Sequence, residues 1–162
     1  MEMTNNIKTL NKFLPIREEL KKTNKKVVFT NGCFDIIHAG HIDYLNKAKN
    51  LGDILLVGVN SDRSVNNIKG ENRPIIPEDE RALIISNLKP VDYVILFDED
   101  TPEKLIEGII PDILVKGADW DLEKIVGKDI VIKNGGQVKS IEFVINQSTS
   151  KIVDSILKRY NK

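Results

Sequence analysis

The chain has 162 residues, a length that suits one compact domain and leaves no room for a second ordinary one. It carries 24 Lys and Arg and 24 Asp and Glu, so it has no net basic charge that would attract nucleic acid or an anionic membrane. Its 41% hydrophobic residues predict a folded protein. It has a single cysteine, no signal-peptide pattern and no apolar run near the ~20 residues that span a bilayer, so it is predicted to lie in the reducing cytoplasm.

The first 25 residues are predicted to form a peripheral helical segment ahead of the main domain at 26–162. Ile7, Leu10 and Leu14 recur at helical spacing, while Pro15 would break a longer helix. This apolar face could support a homodimer or pack on its own domain, and the spacing leaves both open.

Short apolar runs then alternate with helix-like stretches, a pattern typical of a parallel sheet covered by helices. The strand candidates are residues 26–30, 54–59, 93–97, 113–116 and 138–143. One predicted helix begins near Gly40 and stops at Gly52, and a second covers Pro77–Leu88. A third has Thr101 as its cap and Pro102 as its first residue. The last starts at Ser148 or Thr149 and is predicted to bury Ile152, Val153, Ile156 and Leu157. Residues 61–74 form the longest polar loop. The expected fold is α/β: a single Rossmann-like domain with a parallel sheet of about five strands and helices on both faces.

Both histidines of the chain lie directly after the first predicted strand, as His38 and His41 around Gly40. If a helix begins near Gly40, the two imidazoles project from neighbouring turns on one side, beside unpaired backbone N–H groups and the positive end of the helix dipole. Gly40 also lets an anion approach the backbone closely. The arrangement predicts a binding site for polyphosphate.

Polar groups follow three other predicted strands, and in open α/β sheets such strand ends converge on one ligand crevice. They are the loop with Lys69 and Arg73, the segment Lys116-Gly117-Ala118-Asp119-Trp120, and the run Ser148-Thr149-Ser150. Each has a plainer interpretation: solvated surface charge for the loop, core packing for the tryptophan, and a helix cap for the serine-rich run. Their shared position favours ligand contacts.

Residues of the histidine motif also have non-functional interpretations. One histidine could pack at the strand end while the other is solvated, and a structural zinc site lacks its four ligands. Cys33 is expected to be a small buried hydrophobe rather than a nucleophile. Asp35 could orient the motif backbone or help to hold a metal, or it could be a turn aspartate that bonds its own loop, and neither interpretation is preferred.

Phosphate chemistry fits a site that has no obvious general base or covalent nucleophile. A phosphate monoester, whose second pKa is ~6, is mostly a dianion at neutral pH and can attack a phosphorus atom unaided. The protein then has to supply positive charge and N–H donors around the reacting phosphorus and the leaving group. This favours nucleotidyl transfer over hydrolysis.

The run Thr30-Asn31-Gly32-Cys33-Phe34-Asp35-Ile36-Ile37-His38-Ala39-Gly40-His41 resembles the signature of the cytidylyltransferase-like nucleotidyltransferase superfamily, and the resemblance continues to about residue 157. Within the superfamily the chain is most similar to adenylyltransferase domains that act on D-glycero-β-D-manno-heptose 1-phosphate. The resemblance implies transfer of AMP from ATP, with Mg²⁺, to give ADP-heptose and pyrophosphate for lipopolysaccharide core or another surface glycan. It also implies a homodimer, and a separate heptose kinase upstream, because related domains often follow a kinase in one chain.

The resemblance also assigns roles to individual residues. His38 and His41 would stabilise the α-phosphorus and the departing pyrophosphate, and Lys69 would contact phosphate oxygens, so these three are the predicted catalytic residues. The predicted nucleotide- and phosphate-binding residues are Thr30, Asn31, Gly32, Cys33, Phe34, Asp35, Gly40, Arg73, Lys116, Gly117, Asp119, Trp120, Ser148, Thr149 and Ser150. Many superfamily members carry a basic residue after an Ile-Ser-Ser-Thr type run, whereas Lys151 follows Ser150 directly here.

Two other functions remain open at this point. A CTP-dependent cytidylyltransferase acting on glycerol 3-phosphate or a similar phosphoalcohol would keep the same fold, because the choice of base depends on a few hydrogen bonds around Asp119. A non-catalytic nucleotide-binding module that regulates a partner belongs to a different class. Against that module, both histidines and Lys69 are present, although a binding protein could retain them.

Overall fold

The sheet is parallel throughout, and its strand order reverses beside the histidine motif. The computed structural model describes residues 5–118, 121, 124–142 and 147–160. Within these residues the sheet has six strands: β1 (Ile7–Lys8), β2 (Val27–Gly32), β3 (Ile54–Asn60), β4 (Tyr93–Phe97), β5 (Ile113–Gly117) and β6 (Gln137–Ile141). Their order is β1-β4-β3-β2-β5-β6, and each neighbouring pair is parallel. The predicted number of about five strands is therefore one too few.

Helices cover both faces of the sheet, as predicted. They are α1 (Leu10–Lys22), α2 (Ala39–Lys49), α3 (Asp62–Lys69), α4 (Glu78–Ser86), α5 (Glu103–Ile109), α6 (Lys128–Lys133) and α7 (Thr149–Tyr160). One buried apolar cluster includes Leu45 of α2 and Ile85 of α4. The other includes Phe13 of α1, Ile106 of α5 and Val131 of α6. The two clusters make a three-layer α/β/α arrangement.

Strand β2 lies at the point where the strand order reverses. Val28 of β2 pairs with Leu55 of β3 on one side and with Ile113 of β5 on the other. Strands β3 and β4 are therefore added on one side of β2, and β5 and β6 are added on the other. In open α/β sheets ligands bind beyond the carboxyl ends of the strands at such a reversal. The residues that follow β2, including both histidines, lie at this edge.

The N-terminal residues are more closely integrated than the predicted peripheral helix. They include β1, the sixth strand, in which Ile7 pairs with Val94 of β4 and packs on the core of its own domain. A two-residue strand shows no alternation from which it could be predicted. Pro15 lies inside α1 instead of ending it, because the same helix buries Phe13 and Arg17, which offsets the one hydrogen bond that proline removes.

Two short helices were not expected. Helix α3 occupies the first half of the predicted polar loop: the Ser61 hydroxyl caps it by accepting a hydrogen bond from the Ser64 amide at 3.1 Å, and Gly70 ends it with a φ of 96°. Helix α6 lies between Gly127 and Gly135, which both have positive φ. Both helices are too short and too polar for their apolar periodicity to stand out.

Two helix ends also differ from the prediction. Helix α2 ends at Lys49, and Gly52 serves close packing instead, because a Cβ there would lie 2.7 Å from Cγ2 of Val28. In α5, Pro102 is the cap residue and Glu103 is the first helical residue. Each shift is within the usual uncertainty of a helix boundary.

Helix α7 begins at Thr149 as predicted, but its apolar stripe is only partly covered. Ile152 and Val153 are partly buried. Burial was predicted wrongly for Ile156 and Leu157, whose exposed fractions are 48% and 49%, because no helix or strand packs extensively against α7 in the described part of the chain. Among the same residues, no helix has the length and apolar character needed to cross a bilayer.

Three aspartates lock the strand register at the edge of the sheet opposite the histidines. Each aspartate immediately precedes one strand and accepts a hydrogen bond from a backbone amide at the start of a neighbouring strand. The pairs are Lys26 N to Asp53 at 2.8 Å, Leu55 N to Asp92 at 2.7 Å, and Val27 N to Asp112 at 2.7 Å. A slip of one residue would break these bonds and turn the side chains to the wrong face.

Candidate active site

His38 and His41 form a stacked pair at the start of α2. Their ring centroids lie 3.9 Å apart and the ring planes are inclined by 25°. His38 is the N-cap residue, its side chain makes no capping hydrogen bond, and Gly40 is buried in the first turn. The predicted helix start and the predicted common side of the two imidazoles are thereby confirmed. Uncapped amides and the helix dipole favour an anion here.

The inner nitrogen of each imidazole, Nδ1, is buried and has no hydrogen-bond partner among the described residues. A buried N–H group without an acceptor is costly, so the proton is expected on Nε2. Burial lowers the pKa of His38. Burial and the neighbouring His38 lower the pKa of His41 to about 4. Both rings are therefore neutral N–H donors at neutral pH, and a bound polyphosphate would raise the pKa of each.

Phe34 supports the His41 ring from the side. The two ring centroids lie 5.4 Å apart, with the planes inclined by 58°. The backbone of Phe34 has a φ of 48°, in the left-handed region that bulky residues rarely adopt. A Cβ on Gly32 would lie 3.1 Å from the Phe34 ring, so glycine gives that ring its space. Gly32 and Phe34, predicted as ligand contacts, are thus placed to support His41.

Thr30 is fully buried and bonds inside the domain, and its contact with nucleotide stays a prediction. Its hydroxyl lies 2.7 Å from the hydroxyl of Tyr44, which donates to the carbonyl of Val115 at 3.2 Å. Tyr44 follows His41 by three residues in α2, and its two contacts are with β2 and β5. Sequence reasoning missed Tyr44, although a tyrosine one turn after a functional histidine was the available signal.

Asp35 and Arg73, both predicted as ligand-binding residues, bind each other. The Nε of Arg73 donates to Oδ2 of Asp35 at 2.5 Å, and the amides of Ile75 and Ile76 donate to the same carboxylate at 2.9 to 3.0 Å. The Asp35 side chain has no exposed surface, and that of Arg73 is 17% exposed. Burial alone would raise the pKa of Asp35, but these hydrogen bonds lower it overall. Asp35 is therefore an ionised anchor for the loop after α3, and its oxygens are not available to a metal.

Arg81 is a site residue that sequence reasoning missed. It lies in α4, is fully buried, and donates to the carbonyl of Ile76 at 2.9 Å, to the carbonyl of Cys33 at 2.5 Å and to Oδ1 of Asp62 at 2.7 Å. These bonds join the signature loop, defined as residues 31–38, to the start of α3 and to the loop before α4. An arginine on the buried face of a helix was the signal that could have identified it.

Three cations lie near Cys33. Burial raises the pKa of the Cys33 thiol, and the positive charges of Lys69, Arg81 and Arg73 oppose that rise. Cys33 is only partly buried, so the predicted small buried hydrophobe is too strong, but the raised pKa argues against a nucleophile. Lys69 is the exposed last residue of α3, and its positive charge opposes the rise in the Cys33 pKa.

Asn31 and Lys116 meet across the point where the strand order reverses. The ammonium group of Lys116 donates a hydrogen bond to the side-chain carbonyl of Asn31. Both side chains are partly exposed, and Gly117 ends β5 as a buried residue. Asp119 and Trp120, predicted on the nucleotide side, lie outside the described residues.

The serine-rich run acts as a helix cap. The Ser148 hydroxyl accepts a hydrogen bond from the Lys151 amide at 3.2 Å, Thr149 is buried, and Ser150 is exposed. This confirms the cap interpretation. Contact of this run with phosphate stays a prediction.

Two concave regions of the described surface lie away from the histidines. One, of about 400 Å³, is lined by residues of β1, β4, α1 and α5, and the other lies along α7. Neither carries a stacked histidine pair or a buried ion pair. The site is thus identified by side-chain chemistry at the strand reversal and not by the size of a cavity.

A family model described as cytidylyltransferase-like matches residues 29–155. Among known proteins, the bifunctional protein HldE of Citrifermentans bemidjiense is 58% identical over 136 residues, which are 84% of this chain and 28% of that protein. The bifunctional protein HldE of Syntrophotalea carbinolica is 48% identical over 162 residues, which are 100% of this chain and 33% of that protein. The chain thus spans about a third of the length of these relatives.

Solved structures with the same architecture include a lipopolysaccharide core biosynthesis protein from Thermoplasma volcanium. It is 35% identical, has a TM-score of 0.64, and the match covers 76% of this chain and 99% of that one. A pantoate-beta-alanine ligase from Francisella tularensis has a TM-score of 0.59 at 16% identity, covering 89% of this chain and 68% of that one, and is similar in fold alone.

Proposed function

The chain belongs to the cytidylyltransferase-like family, and from this premise we propose that it transfers AMP from ATP to D-glycero-β-D-manno-heptose 1-phosphate, giving ADP-heptose and pyrophosphate. The observation that carries the proposal is the stacked pair His38 and His41 at the start of α2, beyond the carboxyl end of β2. The similarity to HldE proteins and to a lipopolysaccharide core biosynthesis protein supports this choice of reaction.

The chemistry needs N–H donors more than it needs a base. The sugar phosphate, already a dianion, attacks the α-phosphorus of ATP, a new P–O bond forms, and the bond between the α-phosphorus and the bridging oxygen breaks to release pyrophosphate. Neutral His38 and His41 would donate from Nε2 to oxygens that gain charge in this step. Lys69 would add positive charge next to the signature loop.

Mg²⁺ is expected to accompany ATP, but the described residues do not provide a ligand set for it. They contain no group of three or more His, Cys, Asp or Glu that could hold a metal. Asp35, the one acidic residue of the signature loop, is occupied by Arg73 and two amides. The ion would therefore be bound mainly by phosphate oxygens and water, and no role is assigned to a protein ligand.

The product, ADP-heptose, would serve lipopolysaccharide core or another surface glycan, in the cytoplasm where ATP is available. A sugar 1-phosphate must be made by phosphorylation, so a heptose kinase activity would act upstream, and a homodimer is the expected assembly. The name of the Thermoplasma volcanium protein, which concerns lipopolysaccharide core biosynthesis, supports this assignment.

A pyrophosphate-release assay tests the proposal. ATP and CTP are each combined with heptose 1-phosphate and with glycerol 3-phosphate, and the His38→Ala variant serves as the control for contaminating activity. We expect release only with ATP and heptose 1-phosphate, at a rate that is lower by roughly 10² or more in the variant. Activity only with CTP would replace this proposal with a cytidylyltransferase. Tight ATP binding without turnover of either acceptor would favour the nucleotide-binding module.

A further inference from the structure

We infer that Asp35 and Arg81 are positioning residues that act through Lys69, because they hold both ends of the segment that carries this lysine. The segment runs from Asp62, at the start of α3, to Ile76, before α4. The inference rests on the proposed function, in which Lys69 contacts the phosphates of ATP. We call the two residues and their hydrogen bonds the Asp35–Arg81 brace.

Asp35 holds the far end of the segment. Its carboxylate accepts hydrogen bonds from Arg73 Nε and from the amides of Ile75 and Ile76. Three donors from one short stretch of loop therefore meet a single carboxylate that lies three residues before His38. A carboxylate bonded in this way fixes the loop in both distance and direction.

Arg81 holds the near end and joins it to the same loop. Its guanidinium binds Oδ1 of Asp62, the first residue of α3, and also the carbonyls of Ile76 and Cys33. Glu78, from the same helix as Arg81, accepts a hydrogen bond from the Asp62 amide at 2.6 Å. Both ends of the segment are thus fixed relative to the signature loop.

The first turns of α3 are packed, with Ser64 and Val65 fully buried, but the segment is lightly held around Lys69. Lys69 is exposed, and Gly70 follows it with a φ of 96° and no atom within 4 Å of where a Cβ would stand. The end of α3 that carries Lys69 is therefore positioned by the packed start of the helix and by the loop that Asp35 and Arg81 hold. The charge of Lys69 nevertheless acts on Cys33, which places it near the signature loop.

The chemistry of the brace also argues for a role beyond stability. Asp35 and Arg81 are charged and fully buried, and each is paired with a residue that keeps some exposure: 17% for Arg73 and 43% for Asp62. Buried ion pairs add little stability compared with apolar residues of the same volume, which agrees with a role in fixing a geometry.

The test is a set of double-mutant cycles between the brace and Lys69. Turnover is measured for Arg81→Lys and Asp35→Asn, each with Lys69 present and with Lys69→Ala. Arg17→Lys is the matched control, because Arg17 is also a buried arginine that binds two backbone carbonyls and one aspartate, at the opposite edge of the sheet.

We expect Arg81→Lys and Asp35→Asn to lower kcat about tenfold when Lys69 is present and by less than about twofold after Lys69→Ala, since coupled residues are not additive. Arg17→Lys should lower the melting temperature, and any change in kcat should be the same factor with Lys69 present and with Lys69→Ala. Equal factors for the brace variants in both backgrounds would overturn the inference. So would a Lys69→Ala variant with unchanged turnover.

Two measurements keep the result decisive. If Asp35→Asn does not fold, Arg73→Gln cuts the same ion pair from its partly exposed side and must show the same loss of additivity. The cycles are also run on ATP affinity by calorimetry without any acceptor. If no acceptor is turned over, the proposed function fails, while the ATP cycles still decide whether the brace acts through Lys69.

Discussion

The imidazole rings of His38 and His41 stack with 3.9 Å between their centroids, and the nitrogen that each directs inward has no partner among the described residues. Two rings this close cannot both be protonated without repulsion, and burial already disfavours the charged form of each. They are therefore a pair of neutral donors in the free protein, and a bound anion would raise the pKa of each.

Replacing either histidine should remove catalysis and leave the fold intact. His38→Ala or His41→Ala is expected to lower kcat by roughly 10² or more, the usual effect of losing one transition-state donor. Neither ring has a partner for its buried nitrogen, so the melting temperature measured by circular dichroism should change little. Near-normal turnover in both variants would exclude the proposed role.

The stability of the protein should depend on His41 in acid. Its pKa is 6.5 when unperturbed and about 4 in the folded chain, so between these two pH values the unfolded chain binds one more proton than the folded one. The free energy of unfolding therefore falls as the pH is lowered through this window and levels off below it. The part due to His41 is at most about 3 kcal/mol.

Urea unfolding of the native protein and of His41→Gln, followed from neutral pH to about pH 4, measures that contribution. As the pH falls, the free energy of unfolding should decrease more steeply for the native protein than for the variant, because the variant has no imidazole to protonate. Curves that stay parallel throughout would show that the pKa of His41 is not lowered by folding.

Phe34 should control the environment of His41. In Phe34→Leu the aromatic contact is lost and water reaches His41 more easily, so the pKa of His41 should rise towards its ordinary value and kcat should fall. Phe13→Leu is the matched control: it removes a buried ring on the other face of the sheet, where Phe13 packs on Tyr93. Both variants should lose roughly 1 to 3 kcal/mol of stability.

Titration of the histidine ring protons by NMR distinguishes the two variants. Only Phe34→Leu should move the pKa of His41. An unchanged titration in Phe34→Leu, or an equal change in Phe13→Leu, would mean that Phe34 does not shape the site.

Arg17 should matter for stability and not for activity. It binds the carbonyls of Ile109 and Ile110 and lies 3.1 Å from Asp112, so Arg17→Ala leaves buried acceptors unpaired. A loss of about 3 to 5 kcal/mol is expected from urea unfolding. Lys22→Ala, which breaks an exposed pair with Glu19, is the control and should cost less than about 1 kcal/mol. Equal losses in the two variants would contradict this account.

The elements that were predicted well from the sequence are those whose own residues show a clear apolar pattern. Strands β3 and β4 are buried on both faces, so they stand out as continuous apolar runs and their predicted bounds differ from the structure by at most one residue. Strand β1 was missed because its two residues owe their pairing to β4 and not to any local pattern. Helix α3 was missed because its apolar residues are few, although Ser61 and Gly70 marked its two ends.

The amino-acid order by itself determined where the donors are: a histidine pair at a helix start after the first long strand, on a parallel sheet. These features depend on local spacing and on the geometry of one βα turn. Only the tertiary structure decided what the neighbouring charged residues do. Arg73 binds Asp35 across 38 positions of sequence and Arg81 binds Cys33 across 48, and both contacts exist because folding removes these groups from water and forces each to find a partner. No local pattern encodes such pairing, so the ion pair between Asp35 and Arg73 could not be predicted from the sequence.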